Sequence, residues 1–169
     1  MRQFLAGLSL FVFILFAAAC TLEEPPETSP DVSGGDLFTV VKIIDGDTID
    51  VRQGEVTYRV RYVGVNTPER DEVCYADATR ANTDLVMGQM VRMERDQSNT
   101  DRYGRLLRYV YVGDVFVNER LVADGYAEAA LYEPDDRFFD QFSILEHEAA
   151  LAGLGCHPTG IFNDGSVTR

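Results

Sequence analysis

Lysine is almost missing from this chain: Lys42 is the only one among 15 basic residues, and the formal net charge is −13. A protein that holds nucleic acid through bulk positive charge normally presents a basic face, so that mode of binding is excluded. Histidine is equally scarce, with only His147 and His157. No two cysteines are separated by two residues, and only His157 adjoins one, so the spacing of a zinc site is absent. Ser143 and His147 stand one helical turn apart without a third partner, which leaves no serine hydrolase triad. No internal repeat is visible, and three cysteines are too few for a disulfide scaffold.

What is present is an ordinary globular composition, 46% hydrophobic and 25% charged over 169 residues, enough for one domain and a tail. Met1-Arg2, an apolar run from Phe4 to Phe16 and Ala17-Ala18-Ala19-Cys20 have the layout of an export signal over 1–19. A cysteine directly after three small residues resembles a bacterial lipobox, in which Cys20 is lipidated and anchors the mature chain to a membrane outside the cytoplasm. An uncleaved membrane anchor, for which the run is short, and ordinary signal cleavage with Cys20 incidental are the alternatives. Residues 20–36, rich in Pro, Glu, Ser and Gly, read as a flexible tether. A domain is expected over 37–160 and a short tail over 161–169.

Export leaves Cys74 and Cys156 as an even pair in an oxidising compartment, where a disulfide is expected; two free buried thiols are the other possibility. A bridge over so long a loop stabilises by roughly 2–5 kcal/mol.

The domain is predicted to begin with strands over Leu37–Ile44 and Thr48–Arg52, joined at Asp45-Gly46-Asp47, and a third over Val56–Tyr62. A helix is expected from Cys74 to a stop at Gly88, then strands over Met90–Arg95 and Leu106–Val112. Asn118 is placed to cap a short helix ending at Gly125, and a last helix is expected over Arg137–Ala152. Five short strands with interleaved helices give an α+β domain and suit a small Greek-key barrel of the OB type.

The chemistry is expected where the third strand runs out through Arg61 to Glu69. Arg59 and Arg61 should leave the sheet on one face, and Pro68 holds Thr67 extended so that Asn66, Thr67 and Glu69 are presented in a fixed way. Asp45 and Asp47 supply carboxylates for a hard metal, and Asp101-Arg102-Tyr103-Gly104-Arg105 supplies further guanidinium groups. The acidic residues gather in the tether and at Asp135, Asp136 and Asp140, whereas Arg59, Arg61, Arg102, Arg105 and Arg108 cluster near this proposed site.

Ile44-Asp45-Gly46-Asp47-Thr48, Arg61 to Glu69, Asp101 to Arg105 and Val117-Asn118-Glu119 resemble, in order and interval, the signature blocks of the staphylococcal nuclease family. The resemblance covers about Phe38 to Ala152. It implies a five-stranded OB-fold barrel with three α-helices and a Ca²⁺-dependent endonuclease cleaving DNA and RNA, with single-stranded or unpaired substrate preferred, as a monomer. By position, Asp47 and the Thr67 carbonyl would bind Ca²⁺, Glu69 would position or deprotonate the attacking water, and Arg61 and Arg105 would bind the scissile phosphate. Tyr103 and Tyr132 would flank the nucleotide, and Arg102 stands where a lysine contacts phosphate. The chain departs from the pattern at Asn66, where the family usually has a second metal-binding aspartate, and at Ala130, where it has a tyrosine. An amide oxygen can still ligate Ca²⁺, with one negative charge fewer. A noncatalytic OB-type module that binds nucleic acid or protein is the alternative, favoured by Asn66 and the acidic surface and disfavoured by Arg61, Glu69 and Arg105 standing together.

Overall fold

The computed structural model describes residues 36–163. The proposed export signal, the lipidation site Cys20 and most of the tether lie outside these residues, as does the end of the tail. The strands are β1 (Leu37–Ile43), β2 (Thr48–Gln53), β3 (Val56–Tyr62), β4 (Val65–Asn66), β5 (Met90–Glu94), β6 (Leu106–Val112), β7 (Val115–Phe116) and β8 (Glu128–Ala129). The helices are α1 (Tyr75–Val86), α2 (Val117–Ala123) and α3 (Phe139–Ala152), with a 3-10 turn at His157–Thr159.

The five longer strands close into the expected OB barrel. β1 runs antiparallel to β2 and β5, β2 to β3, and β5 to β6. Parallel pairing of β3 with β6, Val60 opposite Leu106 and Tyr62 opposite Arg108, completes the ring. Alternate residues point inward, as a period of two requires, so Phe38, Val40, Ile49, Val51, Val60, Tyr62, Val91 and Met93 fill the core. The two-residue strands β4, β7 and β8 were below what alternation can signal, since two residues carry no period. β4 pairs with β8, bringing Asn66 opposite Glu128.

The helices anchor the functional end. Ala78, Asn82 and Val86 are the buried residues of α1. Buried Asn82 accepts a bond from Tyr62 Oη at 2.9 Å and donates to the Asp45 carbonyl at 2.9 Å, tying α1 to the β1–β2 corner. On α3, Phe142 is buried within an aromatic group that includes Phe138 and Phe116, 5.8 and 5.6 Å away. Gly64 has φ +78°, and a Cβ there would come within 3.1 Å of the Phe142 ring, so only glycine lets this strand end pass under α3.

Three expectations change. Asn118 does not cap α2, which begins one residue earlier with Phe116 at the cap position. Instead its buried side chain accepts from Val110 N–H at 2.9 Å and donates to the Val63 carbonyl at 2.9 Å, joining β6 to the β3–β4 connection. Long-range backbone groups outcompeted the local cap. The last helix starts at Phe139, two residues later than expected, and the Arg137 N–H goes to Asp96 Oδ2, 3.1 Å away, with its guanidinium on the Arg95 carbonyl. Arg108 is not a site arginine, whereas Arg59 is the surface charge expected. Arg59 is half exposed and paired with Asp50, whereas Arg108 is fully buried and donates to Asn99.

Cys74 and Cys156 form a disulfide across 82 residues, holding the start of α1 against the turn after α3. Cys74 has φ +72°, a conformation uncommon for a residue with a side chain.

Candidate active site

A cleft of about 670 Å³ opens where the β1–β2 corner, the end of β3 with the following turn, the 97–105 loop and the Tyr132–Asp135 segment meet. Its lining includes Asp47, Arg61, Asn66, Glu69, Arg102, Tyr103, Arg105 and Tyr132. Thr67 lies beneath it, bonded to Asp47. All nine proposed catalytic, metal-binding and substrate-binding residues are therefore gathered in one place by segments far apart in sequence.

The floor is a buried polar network centred on Asp47. Its Oδ2 accepts from the Thr67 N–H at 2.9 Å and from Thr67 Oγ1 at 2.8 Å, while Oδ1 meets Arg61 Nε at 3.1 Å and Thr48 Oγ1 at 3.1 Å. Gly46 makes this possible: a Cβ there would lie 2.7 Å from Thr67 Oγ1, so any larger residue would push the two segments apart. Arg61 donates its other nitrogens to the carbonyls of Tyr62 at 2.6 Å and Val65 at 2.8 Å and to Asn66 Oδ1 at 3.0 Å. The guanidinium is thus preorganised, with little freedom to lose when it meets a ligand.

Asp45 adds a second carboxyl beside the first. Burial, reinforced by repulsion from Asp47, pushes its pKa up to about 6, with hydrogen bonds from the Asp47 N–H and Thr48 and the Arg61 charge opposing. Burial is the larger cause and the neighbouring Asp47 charge the smaller. The side-chain donors that line the cleft there are oxygens, from Asp45, Asp47 and the Asn66 amide. That set fits a hard divalent ion and not zinc. Among the described residues no three Asp, Glu, His or Cys side chains converge into a ready cage, so the set relies on neutral oxygens. Asn66 Oδ1 already receives Arg61 but carries a second lone pair.

Glu69 is exposed on the rim, its N–H bonded to Glu72 Oε2 at 2.7 Å. Asp101, also in the lining, shapes the arginine-bearing loop. It accepts from the backbone of Tyr103 and Arg105 at 2.9 Å each, and from Arg105 Nε at 2.6 Å. Burial raises the Asp101 pKa, but the bonds from Arg105 and Tyr103 outweigh it and hold the carboxyl below its ordinary value. Tyr103 is 69% exposed, with the guanidinium carbons of Arg102 and Arg105 at 4.8 and 5.5 Å from its ring centroid. The Tyr132 ring lies 5.9 Å from Arg61. The cleft thus holds two aromatic rings beside three guanidinium groups.

Four contributors had no readable signal. Asp135, which sequence placed in a surface acidic cluster, is buried and accepts from the N–H groups of Gln97 and Ser98 at 2.8 and 2.7 Å, pinning the start of the loop. Arg108 holds the same loop through Asn99 Oδ1 at 2.7 Å. Asn82 fixes the Asp45 corner, and Glu128 lies behind Asn66.

Residues 59–156 match the family model described as staphylococcal nuclease homologue, more than half of the chain. The chain belongs to the staphylococcal nuclease family. It is 32% identical over 189 residues to the SPbeta prophage-derived endonuclease YokF of Bacillus subtilis, covering 88% of this chain and 64% of that one. With endonuclease YncB of the same organism the identity is 40% over 119 residues, 66% of this chain and 56% of the relative. Thermonuclease of Staphylococcus hyicus is 30% identical over 159 residues, 88% of this chain and 94% of the relative. This staphylococcal nuclease homologue therefore spans under two thirds of the two Bacillus proteins.

Proposed function

We propose that this protein is a metal-dependent endonuclease that hydrolyses the phosphodiester bonds of DNA and RNA, preferring unpaired strands, with Ca²⁺ as its ion. The observation that carries the reading is the gathering of the preorganised Arg61–Asp47 pair, Glu69 and Arg105 in the lining of one open cleft. Asp47, Asn66 and Thr67 would hold the ion, which neutralises charge on the phosphate and polarises it. Glu69, solvent-exposed at the rim, orients water and takes its proton as attack proceeds. Arg61 and Arg105 donate to the phosphate oxygens as negative charge grows in the transition state. Arg102 contacts a neighbouring phosphate, and Tyr103 and Tyr132 receive the base. The acidic remainder of the surface leaves weak non-specific affinity, so binding depends on the cleft and the ion.

Cys20 is proposed as a lipid anchor, with the tether holding the domain off a membrane outside the cytoplasm. Incorporation of labelled fatty acid into the chain, abolished by Cys20→Ala, tests it; labelling that persists in the variant would overturn it.

The nuclease reading is tested by cleavage of single-stranded DNA across a Ca²⁺ titration into the millimolar range. Cleavage that rises with Ca²⁺ and stops with chelator supports it. Binding without cleavage at every Ca²⁺ concentration would select a noncatalytic OB-type module, the reading favoured by the commitment of Asn66 Oδ1 to Arg61.

A further inference from the structure

The place where this chain departs from its family is occupied by a pair. Asn66 and Glu128 face each other across β4 and β8 and are 4% and 3% exposed. Asn66 Nδ2 donates to Glu128 Oε1 at 3.1 Å, while Asn66 Oδ1 accepts from Arg61 Nη2 at 3.0 Å. The direction of the amide is dictated by its neighbours. A guanidinium can only donate, so the oxygen must face Arg61, and the NH₂ then meets the carboxyl. β8 is itself held: the Ala129 N–H goes to Glu146 Oε2 of α3 at 2.9 Å, and the Ala130 N–H to the Gly64 carbonyl at 3.0 Å. Glu128 is therefore a fixed point, and Asn66 is aimed from it.

We infer that Glu128 is a positioning residue that orients the Asn66 amide so that its oxygen holds the Arg61 guanidinium against Asp47. Residues 66 and 128 then form one coupled unit. An aspartate at 66 would put a second carboxyl where Glu128 Oε1 now accepts from Asn66 Nδ2, losing that hydrogen bond. Asparagine is what Glu128 demands there. The role of Arg61 in turnover rests on the nuclease reading; the pairing itself does not.

The test is a double-mutant cycle on the full chain, with Asn66→Asp, Glu128→Gln and both together. Three readouts are thermal unfolding, single-turnover cleavage of single-stranded DNA with Ca²⁺, and the side-chain ¹⁵N resonance of Arg61 Nε. Asn66→Asp alone is expected to lower Tm by about 4 °C or more and the cleavage rate by about tenfold or more. Glu128→Gln retains an acceptor for Asn66 Nδ2 and should keep kcat and the Arg61 resonance near wild type, whereas Glu128→Met, which removes the acceptor, should shift the Arg61 resonance and reduce kcat with KM within about twofold. The double variant should recover most of the Tm lost by Asn66→Asp and bind Ca²⁺ more tightly than wild type in calorimetry. Additive Tm changes, or a Glu128→Met variant with wild-type kcat and an unmoved Arg61 resonance, would overturn the inference. Should wild type itself fail to cleave, the nuclease reading falls, while the Tm cycle and the Arg61 resonance still decide the pairing.

Discussion

Arg61 and Asp47 form a buried ion pair, Nε to Oδ1 at 3.1 Å, with both side chains 7% exposed. Removing either partner strands the other charge in the interior. Asp47→Ala and Arg61→Ala are each expected to cost about 3–5 kcal/mol in urea unfolding, and the double variant much less than their sum. Arg59→Ala, which breaks the exposed pair with Asp50, should cost under about 1 kcal/mol. Equal costs for Arg61 and Arg59 would contradict the preorganised floor.

The Cys74–Cys156 bridge closes an 82-residue span, and neither cysteine lines the cleft. Cross-linking so long a loop stabilises by about 4 kcal/mol, by restricting the unfolded chain. Reduction, or Cys74→Ser with Cys156→Ser, should therefore lower the unfolding temperature by several degrees while the folded protein keeps its cleavage rate. Loss of rate in protein shown to be folded would mean the bridge also shapes the site.

His157 carries a pH dependence that runs in one direction. Burial lowers its pKa below the ordinary value, with Glu146 partly opposing, and its Nε2 is buried without a hydrogen-bond partner. Below about pH 6.5 the unfolded chain takes the proton more readily than the folded one. Its contribution to stability is thus present above that pH and is lost as pH falls toward the lowered folded value. Unfolding free energy measured from pH 8 to 5 should fall less steeply in His157→Gln than in wild type. An unchanged slope would exclude His157 as a source.

Much of the barrel was legible because β1, β2, β3, β5 and β6 are long enough for alternation to declare itself. The run from Arg61 to Glu69 was legible too, since a strand ending in a Pro-fixed turn carries its own geometry. The supports were not. Asn118 bonds to a carbonyl 55 positions away, Asn66 to a carboxyl 62 away, and Asp135 to amides 37 and 38 away. Such groups look like caps, turns or surface acids until the fold supplies their partners. Arg108 misled for the same reason: an arginine near a site in sequence can be the post that holds a loop.

The central claim assigns turnover to Glu69, an exposed carboxylate whose replacement disturbs no buried partner among the described residues. Single-turnover cleavage of end-labelled single-stranded DNA by wild type and Glu69→Gln, at saturating Ca²⁺ with Tm measured alongside, tests it most directly. The expected result is a rate loss of about 10²-fold or more with Tm within about 1 °C. A Glu69→Gln protein that cleaves as fast as wild type would contradict the account.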